Sequence, residues 1–358
     1  MRIHLRNHKK EVLKKDPITL KDIARALNLS VATVSKAIRD SHEISMPTKK
    51  LVNDYARKHQ YRPNLMAQVL RHKNGRSIGV IIGAIPNNFF SQVLNGMEAA
   101  THQKNYHIII TQSLESLERE KENLEHLTWR SVDGLLVSLS AETKSIDHFK
   151  KIHEAGIPIV FYDRVTDEIK THQVVADNIG GSYEGTMHLI KNGFTKVAHI
   201  TSSHELSITR ERLTGYENAL RDARIPIRPE YIKYYKHGGK DLEEVEAAID
   251  EILKVKPRPD AIITASDRIT IRTMAILKKK KIKIPGQIAV VGYSNFSAPE
   301  IFQPELTTIN QPAYEMGKVA AEQLIKLIEA KRPPARFEKK ILPTELQIRD
   351  SSVRKPKK

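Results

Sequence analysis

Along the first seventy residues the apolar positions recur at helical spacing. Leu20, Ile23, Ala24 and Leu27 fall on one face of a helix. Thr19 ahead of them, with Asp22 three residues on, makes a helix start: the hydroxyl caps exposed N–H groups and the carboxylate sits at the positive end of the dipole. Asn28-Leu29 makes a tight connection, and Ser30 caps a second helix, Val31 to Ile38, in which Val34, Ala37 and Ile38 face inward. A third helix begins around Ser45 and Pro47, buries Leu51, Val52 and Tyr55, and exposes Lys49, Lys50, Arg57 and Lys58. Pro63 suits a helix's first turn, with Asn64 its N-cap or first residue. The segment that follows ends at Leu70 and is shorter than the roughly 12 residues an isolated helix needs, so it has to fold against something.

From Ser77 the pattern changes to short apolar runs. Strand candidates are Ile78–Ile82, His107–Thr111, Gly134–Ser138, Ile157–Phe161, Val174–Ala176, Lys196–Ile200, Ala261–Thr264 and Ile288–Val291, with a further strand near Ile341-Leu342. Amphipathic stretches such as Phe90–Lys104, Tyr183–Lys191, Leu242–Leu253 and Ile269–Lys279 lie between them, and this alternation predicts parallel sheets covered by helices. About 270 residues of it suits two similar lobes with a cleft, and Tyr314–Glu329 is then a late helix returning to the first lobe.

Charge sharpens the division. Of the net +17 on 358 residues, residues 1–75 carry 17 basic and 6 acidic side chains and residues 331–358 carry 10 and 3, which leaves the body near neutral. A basic module on a neutral body points to a polyanion bound at one end. Ser351-Ser352-Val353-Arg354-Lys355-Pro356-Lys357-Lys358 reads instead as a disordered basic tail. With no cysteine, disulfides and thiolate metal sites are excluded. The N-terminus (Arg2, His4, Arg6, Lys9, Lys10) lacks the apolar stretch of a secretory signal, and no apolar run nears the roughly 18 residues of a membrane span, so the expectation is a soluble cytosolic protein with no membrane partner.

Two helices joined by about three residues, the second capped by serine, form a helix–turn–helix. Small residues at Val31 and Ala32 let the second helix approach base edges, Lys36 can donate to guanine, and Ser30, Thr33 and Ser35 can hold phosphates. The Asn64–Leu70 segment can form on DNA and push Leu70 into a base step. The plain alternatives are a three-helix bundle and a linker helix packed on protein. In the body, ligands of open α/β lobes bind beyond the carboxyl ends of strands. The polar groups there are Asn87 and Asn88 with Phe89 and Phe90, then Asp163-Arg164, Asp177-Asn178, Ser266-Asp267 and Tyr293-Ser294-Asn295, a set suited to a polyhydroxylated ligand. Against that, Asp267 reads as a helix N-cap, Asp177-Asn178 as a turn, and Phe89 or Phe90 as core.

The runs Ile18-Thr19-Leu20-Lys21-Asp22-Ile23-Ala24 and Leu29-Ser30-Val31-Ala32-Thr33-Val34-Ser35-Lys36-Ala37, then Tyr61-Arg62-Pro63-Asn64 and Ser77-Ile78-Gly79-Val80-Ile81, resemble the lac repressor/galactose repressor family of bacterial transcription regulators, from about residue 18 to 350. The resemblance implies an all-α helix–turn–helix headpiece with a hinge helix, then a two-lobed, periplasmic-binding-protein-like α/β core of parallel sheets. It implies a homodimer reading a pseudo-palindromic double-stranded DNA operator, repression, and a sugar-like effector in the cleft. The expected domains are an arm at 1–17, the headpiece at 18–62, hinge helix and linker at 63–76, and the core at 77–350. Within the core, lobe 1 takes 77–176 and 308–338, lobe 2 takes 177–307 and 339–350, and a tail follows at 351–358. By the resemblance Val31, Ala32 and Lys36 read bases and Leu70 with Ala67 forms the minor-groove lever; Thr19, Ser30, Thr33, Ser35, Arg39, Tyr61 and Asn64 complete the DNA set. Arg212, within Arg210-Glu211-Arg212-Leu213-Thr214-Gly215-Tyr216, contacts the effector, joined by Phe90, Asp163, Ser266, Asp267, Ser294 and Gln311. The chain departs from the family pattern at Lys36, commonly arginine, and at Ser266, Ser294 and Gly238-Gly239 in the sugar site.

The competing classes are a solute-binding protein, which calls for an export signal and no basic headpiece, and a sugar-metabolising enzyme. No Gly-x-Ser-x-Gly elbow, phosphate-cradling loop or His-Glu-x-x-His is present, and the 15 histidines are scattered without metal-ligand spacing. No catalytic residue, metal or cofactor is expected. No leucine heptads follow Glu329, so a dimer rather than a tetramer is the expected assembly.

Overall fold

The structure is a computed structural model and describes residues 18–38, 40–59, 61, 75–235, 241–332 and 334–354. The chain divides into two compact units, one ending at Gly75 and the other beginning at Arg76.

The first unit holds α1 (Leu20–Leu27), α2 (Val31–Ile38) and α3 (Met46–Lys58). Thr19 and Asp22 form a reciprocal capping box: the Asp22 N–H donates to Thr19 Oγ1 (3.3 Å) and the Thr19 N–H to Asp22 Oδ2 (2.9 Å). Asn28 ends α1 in the left-handed region, at φ 52°, which asparagine tolerates better than most residues. Ser30 Oγ accepts the Thr33 N–H (2.9 Å), so it caps α2 as the sequence predicts. Ile23, Ala24, Val34, Ala37, Val52 and Ala56 make the core, with Leu20, Leu27, Ile38, Tyr55 and Tyr61 packed around it. Leu51 is the exception. It is exposed, because Val52 and Ala56 set the inner face of α3 and residue 51 lies about 100° off it.

In the second unit, β1 (Ser77–Ile82), β2 (His107–Gln112), β3 (Gly134–Val137), β4 (Ile159–Tyr162), β5 (Gln173–Ala176) and β11 (Lys339–Leu342) form one sheet, in the order β11-β5-β4-β3-β1-β2. The other sheet holds β6 (Val197–Thr201), β7 (Ile232–Tyr234), β8 (Ala261–Thr264), β9 (Ala289–Tyr293), β10 (Thr307–Asn310) and β12 (Glu345–Gln347), in the order β12-β10-β9-β8-β6-β7. All pairings are parallel except β10 with β12. The covering helices are α4 (Asn88–Gln103), α5 (Leu117–Trp129), α6 (Asp147–Glu154), α7 (Asn178–Lys191), α8 (Ser207–Asp222), α9 (Leu242–Lys254), α10 (Asp267–Lys279) and α11 (Ala313–Glu329). Central strands are buried throughout, as their continuous apolar runs require.

The two-lobed expectation holds, but two boundaries move. Residues 308–310 lie in β10 of the second sheet rather than in lobe 1, and residues 339–342 lie in β11, beside β5 of the first sheet, rather than in lobe 2. The run at Ile341-Leu342 marks a strand without saying which sheet it joins, and Thr307–Asn310, three of its four positions polar, carries no run to mark it. The chain therefore crosses between lobes after β5, after β10 and after β11. The second crossing delivers α11 onto the first lobe, where it packs on α4 through paired glycines. A Cβ on Gly96 would lie 1.9 Å from Tyr314 O, and one on Gly317 2.0 Å from Val93 O. Only glycine lets these backbones meet.

Residues 351–354, expected to belong to a disordered tail, are ordered on the fold. Ser351 and Ser352 are buried: Ser351 Oγ donates to Val290 O (2.7 Å) and accepts the Thr307 N–H (2.8 Å), while Ser352 Oγ bonds Thr307 Oγ1 (2.6 Å) and His188 Nε2 (2.7 Å). Arg354 stacks over Phe194 at 4.4 Å. The basic run suggested disorder from Ser351 on; hydrogen bonds to residues distant in the chain pin Ser351 and Ser352 to lobe 2 instead.

Candidate functional site

At the N-terminus of α2, Val31 and Ala32 are exposed, as a base-reading surface requires. The Ser30 and Thr33 hydroxyls bond each other (2.8 Å), and Ser35 is half-buried on the same helix. Thr19 is engaged in its capping box. Tyr61 packs into the headpiece core, where burial pushes its phenol up, and its N–H donates to Ala56 O (2.8 Å). Lys36 forms an ion pair with Glu43, a residue the sequence reading did not single out. Arg39, Asn64, Ala67 and Leu70 lie outside the described residues, as do the arm, most of the hinge segment and Gly238-Gly239.

In the core, polar groups gather where strands of both sheets end. Asp163, just after β4, is buried with φ 57° and accepts a hydrogen bond from Ser138 Oγ (3.5 Å). Burial pushes its carboxyl above the usual range, against the pull of Arg164 and then Arg212. Beside it Arg164 makes a fork with Glu115, Nη1 to Oε2 at 2.5 Å and Nη2 to Oε1 at 3.2 Å, and the Ala141 N–H adds a bond to Glu115 Oε2 (3.0 Å). Burial raises the Glu115 carboxyl, but the Arg164 charge, the Arg164 hydrogen bonds and the Ala141 N–H together outweigh it and hold the group below its ordinary value.

From lobe 2, Arg212 on α8 is almost wholly buried. Its Nε donates to Asn178 Oδ1 (2.9 Å), its Nη1 to Ala265 O (2.5 Å), and its guanidinium lies 3.8 Å over the Tyr293 ring. Ser266 Oγ bonds the Tyr235 hydroxyl (3.0 Å). Asp267 accepts a bond from Ser294 Oγ (2.5 Å), and burial pushes its carboxyl up. Ser266 takes the N-cap backbone position of α10 that had been read for Asp267. Burial also raises the Tyr235 phenol, to about 12, against the pull of its bond to Ser266 and the charges of Arg164 and Arg212.

Two members of the expected set do something else. Phe90 is core, packed edge-on against Phe89 at 5.3 Å, although it flanks Gly83 together with Glu115. Gln311 uses its backbone: its N–H donates to Asn295 Oδ1 (3.2 Å) and its carbonyl accepts from Asn295 Nδ2 (2.7 Å). Asn295 also exchanges bonds with Gln92 of α4 (3.0 and 3.1 Å), and the Val165 N–H donates to Ser207 Oγ (3.2 Å), so the lobes are bonded to each other across the cleft. Glu115 and Tyr235 were missed. Both follow strand ends, and the search beyond each strand skipped β2 and did not anticipate β7.

Residues 19–64 match the family model of the bacterial regulatory proteins, lacI family, and residues 186–352 match that of the periplasmic binding protein-like domain. Over 314 residues the chain is 32% identical to the HTH-type transcriptional regulator RegA of Clostridium saccharobutylicum, covering 87% of this chain and 93% of the relative. It is 30% identical over 334 residues to the HTH-type transcriptional repressor PurR of Vibrio vulnificus (strain CMCP6), covering 93% and 98%. Among solved structures, a transcriptional regulator CelR–cellobiose complex superposes with TM-score 0.70 at 25% identity, covering 93% of this chain and 99% of that one. The lac repressor dimer bound to operator and the anti-inducer ONPF superposes with TM-score 0.78 at 22% identity, covering 94% and 100%, a likeness of fold.

Proposed function

Because the chain belongs to the lacI family of bacterial regulatory proteins, DNA-binding transcription regulators and not enzymes, we propose that it is a repressor that binds a pseudo-palindromic operator as a homodimer under the control of a sugar-like effector. The observation that carries the effector reading is the set of buried polar side chains at the strand ends of both lobes, Asp163 after β4 in lobe 1 and Arg212, Asp267 and Ser294 in lobe 2. Carboxylates accept from hydroxyls and an arginine fork donates to them. Glu115 already neutralises Arg164, so that arginine is not offered to a phosphate or carboxylate, and this favours a neutral polyol. The solved relative in complex with cellobiose supports the same class. Ser266 and Ser294 keep hydroxyls at the positions where the family pattern differs, and both are hydrogen-bonded into the site. A ligand with different affinity for the open and closed lobe arrangements shifts their balance, and operator affinity shifts with it.

The test is binding to the DNA upstream of the protein's own gene. The operator is expected to bind at least about 10³-fold more tightly than mixed sequence, weakening steeply with salt. Binding that neither selects sequence nor weakens with salt would sink the reading.

We assign the dimer face to the apolar groove of lobe 2 made by Ile271, Met274, Ile282, Ile301 and Phe302, where Ile301 is largely exposed. Ile301→Glu should convert a dimer to a monomer in sedimentation velocity at micromolar protein. A dimer left intact puts the face elsewhere.

A further inference from the structure

Two acidic residues stand in the turn between α2 and α3, and each pairs with a lysine of the headpiece. The turn is folded back on the helix end: the Ser41 N–H donates to Lys36 O (3.0 Å), the Ile44 N–H to Ser41 O (3.2 Å), and the Glu43 N–H to Ser41 Oγ (3.4 Å). It therefore presents Glu43 directly to the Lys36 ammonium.

The two pairs differ in kind. The Lys49 side chain is only 12% exposed and donates both to Asp40 Oδ1 (2.7 Å) and to Asp40 O (3.2 Å), so it is a structural tie. In the other pair Lys36 is 42% exposed and Glu43 51%, so both ends face solvent, and Lys36 stands four residues, about one helical turn, beyond the exposed Ala32. An exposed pair is weak enough to be exchanged where DNA offers Lys36 a matched set of acceptors. While it stays closed, Lys36 brings its own counter-ion.

We propose that Glu43 sets DNA specificity by occupying Lys36 on non-cognate DNA, so that Lys36 is released only where a base edge can replace the carboxylate. This rests on the reading of α2 as the DNA-contacting helix. Non-specific affinity comes from phosphates trading condensed cations for protein cations, and a lysine already neutralised takes no part in that exchange. At a cognate site the contact to guanine O6 and N7 gives Lys36 a replacement partner. Glu43 thus lowers binding to bulk DNA more than binding to the operator.

The test uses the full-length protein and a mixed-sequence duplex of about 40 base pairs, with anisotropy titrations between about 50 and 200 mM salt. Glu43→Gln should tighten this non-specific binding about five- to tenfold near 0.1 M salt and steepen the salt slope by about 0.9 per headpiece. In a Lys36→Met background the same substitution should change neither. Equal changes in both backgrounds would mean a general loss of negative charge, and no change in either would mean that Lys36 is not held back; each overturns the proposal. Wild-type protein that shows no salt-dependent binding to any duplex defeats the DNA reading itself, a different outcome from a wild type that binds while the cycle shows no coupling.

Discussion

Glu115→Gln is expected to destabilise the core by about 3–5 kcal/mol, lowering its thermal midpoint by on the order of 10 °C. The Arg164 guanidinium is buried, and Glu115 supplies its fork of hydrogen bonds and its counter-charge. An amide in that place turns one acceptor into a donor facing the guanidinium and leaves the cation short of charge. Removing both partners together, as Glu115→Gln with Arg164→Met, should recover much of the loss, because an apolar side chain leaves no buried charge to compensate. The pH dependence has a fixed sign. The Glu115 pKa is depressed in the folded state, so its contribution is complete above the unfolded value near 4.5 and is lost as pH falls through the folded value. The gap between wild type and Glu115→Gln in denaturant melts should therefore be full at pH 7 and shrink below about pH 4.5. A variant as stable as wild type at neutral pH would show that the pair carries no net stabilisation.

That pair also marks where sequence reasoning stops. Helical spacing found α1, α2 and the capping box because all of these depend on neighbours in the chain. Continuous apolar runs located most of the covered strands within two residues, Ala261–Thr264 without error, but not the buried β10, whose Thr307, Thr308 and Asn310 leave Ile309 as its one apolar position. The edge strand β7, with its half-exposed Ile232 and Lys233, carried no such run and was missed. Sheet membership depends on crossovers, which periodicity does not encode, so 308–310 and 339–342 were placed in the wrong lobes. Arg212 was found through the family resemblance, while its partners, Asn178 Oδ1, Ala265 O and the Tyr293 face, come from three separate elements that only the fold brings together. The Lys36–Glu43 pair spans seven residues across a turn, a distance at which no helical or strand rule pairs side chains.

Arg212→Ala should abolish the response to effector. Arg212 links the start of α7, the end of β8 and the end of β9 at the floor of the cleft, and a charge held that deeply is where a hydroxylated ligand would gain most from a donor. Truncating one partner of a buried, hydrogen-bonded charged contact costs about 2–5 kcal/mol, or about 30- to 5,000-fold in affinity. The experiment begins with a sugar panel against the wild-type protein, scored by thermal shift. The compound that raises the melting temperature is then titrated into an operator-binding assay with wild type, Arg212→Ala and Arg212→Lys. Alanine is expected to remove both the thermal shift and the change in operator affinity, with cooperative unfolding retained. Lysine should restore only part, since a point charge cannot hold Asn178 and Ala265 together as the planar fork does. A normal response from Arg212→Ala would place the effector outside this cleft, whatever the sugar. A wild type that answers to no sugar, but to an anionic compound, would keep the cleft and replace the ligand class, because Arg212 serves a carboxylate or phosphate as readily as a pair of hydroxyls.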